Sequence, residues 1–375
     1  MTITSCSTLQ GTSRYTERFR DVVAAGHFRD AQGFSVSSLG IGTYLGNADE
    51  RTDRSYTEAV ERAVRLGINV IDSAANYRFQ RSERSIGRAL QMLTAEDSFG
   101  RDEILICTKG GYLPFDGAPP RDVRAYIEET FVRPGIARFE DIVGGSHCMT
   151  PSYLQHQLEQ SLKNLGVTCV DVYYIHNPES QLGFVSTEEF YSRLRQAFAL
   201  LQENVAAGKI KNYGVATWNG FRVSPDSREY HSLPLMVELA KDVGGESHGF
   251  RFIQLPYNLA MPEAFTLQNQ KIGGSRVSVI EAAATLGITV IASASMLQGR
   301  VARGLPEDLR QQLGLLATDA QTAIQFVRST PGITTALVGM SRMEHVEENT
   351  QLKRVEPLPQ RDFMHLFEGS DFSPL

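Results

Sequence analysis

Eight short apolar runs, each followed by a helix-forming segment, recur along the chain from residue 38 to residue 353. The runs are SLGIGTY (38–44), NVID (69–72), EILICTK (103–109), VDVYYIH (170–176), IKNYGVAT (210–217), FRFIQLPYN (250–258), ITVIASAS (288–295) and ITTALVGM (333–340). Unbroken apolar stretches such as ILICT and VIASA suit a parallel sheet covered on both faces, because crossover helices shield each side from water. The segments between them carry a helical period. In 52–66, Ala59, Val60, Ala63, Val64 and Leu66 make one stripe and Gly67 follows as a stop. Eight such units fit a closed (β/α)8 TIM barrel better than an open doubly wound sheet. An open sheet would place a G-x-G-x-x-G phosphate loop after its first strand, and LGIGTYLG lacks that spacing. The expected fold class is α/β, one barrel over 38–353.

Three segments fall outside that pattern. Residues 1–37 form an N-terminal extension, with a predicted helix over 15–25 and a hairpin turning at Gln32-Gly33. Residues 112–150 are a long loop after the third strand, rich in Pro, Gly and aromatic residues. In a barrel such a loop lies on the face where chemistry occurs. Residues 354–375 read as a polar C-terminal tail.

The composition excludes several functions. With 37 basic and 43 acidic side chains the net charge is −6, not the basic excess of a nucleic-acid binder. No run of 18 apolar residues suggests a membrane span, and the N-terminus lacks an apolar signal core, so cytoplasm is the expected location. Cys6, Cys107, Cys148 and Cys169 show neither C-x-x-C nor metal-ligand spacing with histidine, and no metal is expected. A chain of this length does not need disulfide staples, and Cys107 and Cys169 read as inert core thiols. The sequence carries no sign of oligomeric state.

The polar residues that end barrel strands are the ones that meet at the catalytic face. The second strand ends at Asp72, with Tyr77 five residues on; the third ends at Lys109; the fourth at His176. Tyrosine holds its proton at neutral pH and can act as an acid. A lysine cation beside it lowers the phenol pKa, an aspartate holds the lysine, and a histidine can hydrogen-bond the oxygen being protonated. Such a set fits protonation of a carbonyl oxygen while hydride arrives from elsewhere. Taken singly, each residue has a structural alternative: Asp72 as a helix cap, Lys109 as a rim ion pair, the other two as packing residues.

These residues resemble the aldo-keto reductase superfamily. DSAANYRFQRSERSIGRAL, ILICTKGG and LEQSLKNLGVTCVDVYYIHNP are similar to its aspartate–tyrosine, lysine and histidine segments. GKIKNYGVATWN, FIQLPYN and ALVGMSRMEHVEENTQL follow in the family's order. The resemblance implies NADPH binding without a Rossmann motif and reduction of an aldehyde or ketone, or the reverse alcohol oxidation. It implies Tyr77 as general acid, Lys109 as its partner, Asp72 as the anchor and His176 as the residue orienting the carbonyl. For the cofactor it implies Gln254 at the nicotinamide amide, Thr217 where the family often has asparagine, Thr43 and Tyr44 near the ribose, and Ser293 and Met296 after the seventh strand. Ser341, Arg342, His345, Glu348 and Asn349 fall on the last helix, whose N-terminal turn would hold the 2′-phosphate and adenine. Arg342 favours NADP over NAD, unless it is simply a surface arginine.

The chain departs from the family twice. Ser293 stands where an aromatic residue usually stacks on the nicotinamide, and the 112–150 loop is unusually long. From that loop His147 and Cys148 are candidates for the substrate pocket, against a slightly favoured reading as a turn residue and a half-buried thiol. Tyr112 and Trp218, the only tryptophan, either wall an apolar pocket or pack under the loop. Because some superfamily members are cofactor-binding regulatory subunits of channels, a redox-sensing subunit with little turnover is the alternative to an enzyme. A cofactor-free lyase or isomerase acting on a sugar is a third reading.

Overall fold

A computed structural model describes residues 2–95 and 99–368. Eight parallel strands close into a barrel, each followed by a helix that packs outside it. In chain order these are β1 (Leu39–Gly42), α1 (Glu50–Arg65), β2 (Val70–Asp72), α2 (Arg81–Ala95), β3 (Leu105–Gly110), α3 (Pro151–Leu165), β4 (Val170–His176) and α4 (Thr187–Ala206). They continue as β5 (Ile210–Ala216), α5 (Leu233–Gly244), β6 (Phe250–Pro256), α6 (Val279–Leu286), β7 (Thr289–Ser293), α7 (Asp319–Ser329), β8 (Ile333–Gly339) and α8 (Met343–Thr350). All eight strands read from the sequence are present, and β6 pairing with β7 completes the ring.

Alternation along each strand builds two apolar layers. Val70, Leu105, Cys107, Val172, Tyr174, Phe252, Ile291 and Leu337 fill the barrel interior, while Ile71, Ile106, Tyr173 and Ile253 face the helices. A Cβ at Gly214 would collide with the Phe252 carbonyl oxygen, so β5 and β6 approach closely only with glycine there. Register then aligns the strand ends: Gly42 lies beside Asp72, Asp72 beside Cys107, Lys109 beside Tyr174, and His176 beside Ala216, which lies beside Gln254.

The N-terminal hairpin pairs Phe28–Ala31 with Phe34–Ser37 and turns at Gln32 and Gly33, with φ of 55° and 85°. Its Ala31, Phe34 and Val36 join the interior cluster and close the barrel floor. The extension's helix, however, spans Leu9–Glu17, not 15–25. The Thr8 hydroxyl caps it by accepting from Gly11 N at 2.9 Å, and Gly11, Thr12 and Tyr15 form its buried face. The described part of the C-terminal segment is not a polar tail. It forms a short helix, Gln360–His365, and buries Phe363 within 5.6 Å of the Phe265, Phe326 and Phe367 ring centroids. Cys169 is not a free thiol: it is disulfide-bonded to Cys6, with Cα atoms 5.4 Å apart, tying the N-terminal strand-like segment to the foot of β4. Cys107 and Cys148 are free and buried. No helix among the described residues is long and apolar enough to cross a membrane.

Candidate active site

Asp72, at the end of β2, is the hub of the strand-end cluster. Lys109 Nζ donates to Asp72 Oδ2 at 2.6 Å and to the Ser73 carbonyl at 2.7 Å. Gln254 Nε2 donates to the other carboxylate oxygen at 2.8 Å. The Thr43 hydroxyl donates to the Asp72 carbonyl at 3.1 Å. Held in this way, Lys109 Nζ lies 3.4 Å from the Tyr77 hydroxyl. The Lys109–Asp72 pair is almost fully buried, so each charge depends on the other. Burial opposes the Lys109 ammonium, but Asp72 and Tyr77 outweigh it and its pKa is raised.

The Tyr77 phenol differs from expectation. Burial, the larger effect, raises its pKa; Lys109 pulls it down, and the net direction is upward. The sequence names the lysine but not how deeply the phenol is buried, and burial wins. Tyr77 therefore keeps its proton through neutral pH.

His176 ends β4 with its ring 5.8 Å from that of Tyr77. Burial, Lys109 and His147 hold its pKa well below 6.5, so it is neutral, and its Nδ1 has no partner. His147 lies behind it, not in the cleft. The Gln181 amide donates to His147 Nδ1 at 2.8 Å, which leaves Nε2 as the donor to the His176 carbonyl at 2.8 Å. Burial lowers the His147 pKa to about 4. Cys148 is enclosed with Phe131, Ala137 and Tyr153. Of the long loop, only Tyr112 reaches the cleft wall.

That cleft, about 860 Å³, opens at the strand C-termini. Thr43, Tyr44, Asp72, Tyr77, Tyr112, His176, Thr217, Trp218, Gln254, Ser293, Met296, Ser341, Arg342 and His345 all line it. Glu348 and Asn349 do not: the Glu348 carboxylate accepts from the Thr318 hydroxyl at 2.6 Å, and Asn349 is buried one helical turn beyond His345. Around the mouth, the side chains supplied by β2 to β5 are uncharged apart from Asp72, which Lys109 neutralises. The cations Arg303 and Arg342 enter from the segments after β7 and β8, with His345 beside Arg342 on the lining.

Sequence reading missed several wall residues. Asn76 and Asn177 flank the catalytic candidates, and Arg303 ends a turn in which Ala294, Leu297 and Gln298 take left-handed φ of 52°, 44° and 56°. Asn177, next to a strand-ending histidine, is the one whose position alone signals the site. Nothing in SASMLQGR signals the left-handed turn. Among the described residues no group of His, Cys, Asp and Glu is arranged to hold a metal ion.

Known proteins share this architecture. Residues 38–225 match the model of the aldo/keto reductase family. The chain is 25% identical over 367 residues to a putative voltage-gated potassium channel subunit beta of Schizosaccharomyces pombe, covering 93% of this chain and 94% of that protein. It is 24% identical over 360 residues to L-glyceraldehyde 3-phosphate reductase of Escherichia coli O157:H7, covering 85% and 84%. An aldo-keto reductase of Bacillus halodurans shares the fold with a TM-score of 0.60 at 19% identity, covering 91% of this chain and 95% of that one. An aldo/keto reductase of Klebsiella pneumoniae, solved with NADP and acetate, gives 0.60 at 18% identity, covering 92% and 95%. The family match spans β1 to β5, the stretch that carries Asp72, Tyr77, Lys109 and His176, and with it the chain belongs to the aldo/keto reductase family.

Proposed function

We propose that the protein reduces an aldehyde or ketone to an alcohol with NADPH, with Tyr77 as the proton donor. The observation that carries this reading is the Tyr77–Lys109–Asp72 chain beside a neutral His176 in one cleft. His176 is available to donate a hydrogen bond to the carbonyl oxygen. Tyr77 gives that oxygen its proton, and the phenolate left behind is stabilised by the Lys109 ammonium 3.4 Å away. When bound, the nicotinamide cofactor supplies hydride to the carbonyl carbon.

The residues present fit such a cofactor. The buried Thr217 hydroxyl lines the cleft without a hydrogen-bond partner, as a site for a carboxamide requires. Arg303 and Arg342 line it without an ion pair among the described residues, and the N-terminus of α8 lies beside them. A net-negative chain thus concentrates cations where a 2′-phosphate would sit. The uncharged end between β2 and β5 suits a neutral carbonyl compound.

The pH dependence follows from the raised Tyr77 pKa. The protonated phenol is the active form for reduction, so activity is lost only as pH rises through a pKa above 10. Because His176 stays neutral, no limb should appear near its ordinary value of about 6.5. kcat/KM for reduction is expected to be flat between these limits, and a break near pH 7 would refute the assignment.

The test of function is quenching of Trp218 fluorescence by NADPH and NADH, followed by turnover of a panel of aldehydes and ketones. NADPH should bind tighter than NADH, and Arg342→Ala should weaken NADPH by about tenfold while leaving NADH nearly unchanged. Binding of neither nucleotide sinks the proposal. The likeness to the S. pombe channel-subunit protein supports a second reading, a cofactor-binding regulatory subunit. Tight NADPH binding without turnover of any carbonyl would favour it.

A further inference from the structure

The short turn after β4 is tied to three separate parts of the cleft wall. Asn177, in a left-handed conformation, donates from Nδ2 to the Tyr112 hydroxyl at 3.3 Å, and Ser180 Oγ lies 2.9 Å from the same hydroxyl. Gln181 fixes His147 and through it the His176 backbone. Glu179 reaches the opposite way. Its Oε1 accepts from the backbone N–H groups of Trp218 at 2.6 Å and Asn219 at 3.0 Å. Its Oε2 lies 3.5 Å from His231 Nε2, and His231 is stacked on Phe190 with ring centroids 5.2 Å apart.

Glu179 is buried, and a buried carboxylate is costly unless its oxygens are matched. Burial pushes its pKa up, but His231 and the two N–H groups outweigh that and hold it low, so the carboxylate is ionised. An ionised acceptor fixes the start of the β5–α5 connection. What it fixes is Trp218, whose indole lines the cleft while 42% exposed. Among the described residues no aromatic pair, cation–π contact or side-chain hydrogen bond anchors that ring, so the bonds to its backbone are what the structure shows holding it.

We infer that Glu179 is a positioning residue that sets substrate specificity by holding the Trp218 wall through two backbone hydrogen bonds. It touches neither the Tyr77 hydroxyl nor Lys109. Its loss should therefore move KM for substrates long enough to reach the indole and leave proton transfer alone. The inference rests on the proposed carbonyl reduction for its kinetic arm only.

The test uses the full-length protein with a bulky aromatic aldehyde, 4-nitrobenzaldehyde, and a small one, propanal. Glu179→Ala should raise KM for 4-nitrobenzaldehyde about tenfold, with kcat for both aldehydes within about twofold. In a Trp218→Leu background the same substitution should have no further effect on KM. Trp218 is the only tryptophan, so its emission reports the wall directly. Glu179→Ala should red-shift that emission and lower its anisotropy without any substrate. Glu179→Gln, which can still accept from both N–H groups, should shift in the same direction by a smaller amount, and it serves if the alanine variant does not fold. Unshifted emission in these variants, a fall in kcat equal for both aldehydes, or an undiminished KM effect in the Trp218→Leu background overturns the inference. If wild type turns over neither aldehyde, the proposed function fails and the fluorescence arm still decides the role of Glu179.

Discussion

Replacing Tyr77 by phenylalanine is expected to lower kcat for carbonyl reduction by about 10³-fold while leaving NADPH affinity within about twofold. A positioned general acid contributes roughly 10²–10⁴-fold, and about 10³-fold corresponds to ~4 kcal/mol of barrier. The substitution removes one oxygen and little else. The ring contacts to Tyr44 and His176, 5.0 Å and 5.8 Å between centroids, are available to phenylalanine. Lys109 keeps its bonds to Asp72 and to the Ser73 carbonyl, so no buried charge is stranded. Loss of turnover with intact binding and intact melting temperature would separate a chemical role from a structural one. Near-normal turnover in this variant would remove Tyr77 from the mechanism.

The second large effect is on stability. Asp53, on α1, is buried and receives the guanidinium groups of both Arg78 and Arg81. Arg78 is itself buried, with further bonds from Nε to the Asn47 carbonyl at 2.9 Å and from the guanidinium to the Asp49 carbonyl at 3.5 Å, and with its guanidinium over the Tyr56 ring. Arg78, Phe79 and Gln80 have φ of 49°, 58° and 70°, three successive left-handed residues without a glycine. Each costs roughly 1–2 kcal/mol relative to right-handed backbone, so the turn that follows Tyr77 persists only because its surroundings fix it. Asp53→Ala leaves a buried arginine without a counter-ion, a loss of about 3–5 kcal/mol against a total stability of about 5–15 kcal/mol. Urea unfolding should show a midpoint lowered accordingly, with activity falling in step. A change below about 1 kcal/mol would mean that the ion pair is not what holds the turn.

The barrel and its strand-end residues were legible because both follow local rules. Apolar runs of strand length alternate with helical stripes, and a polar residue ending a strand projects at one face whatever the loops do. The Asp72, Lys109 and His176 positions need nothing more, while Tyr77, five residues past its strand, is read from the family resemblance. The rest depends on contacts between residues far apart in the chain. Cys6 meets Cys169 only because the N-terminal segment runs along the foot of β4. For His147 its place in the long loop left a pocket role open beside the slightly favoured structural one, and only the contacts decide: the Gln181 amide and the His176 carbonyl draw its ring behind the strand. The left-handed turn at Arg78 carries no glycine or asparagine to mark it, since its support comes from Asp53 on another helix. The upward shift of Tyr77 depends on depth of burial, which spacing does not encode.

The division of charge around the cleft mouth has an evolutionary corollary. The uncharged sector supplied from β2 to β5 lies between residues 72 and 218, and the arginines lie after residue 300. The two sectors are therefore separable stretches of chain, joined across the connection between Trp218 and Phe250. A single recombination there would exchange the uncharged wall while keeping the arginines of the opposite side. Point changes in the uncharged wall can then drift while the arginines stay in place, except at Asp72, whose carboxylate accepts from Gln254 across the junction.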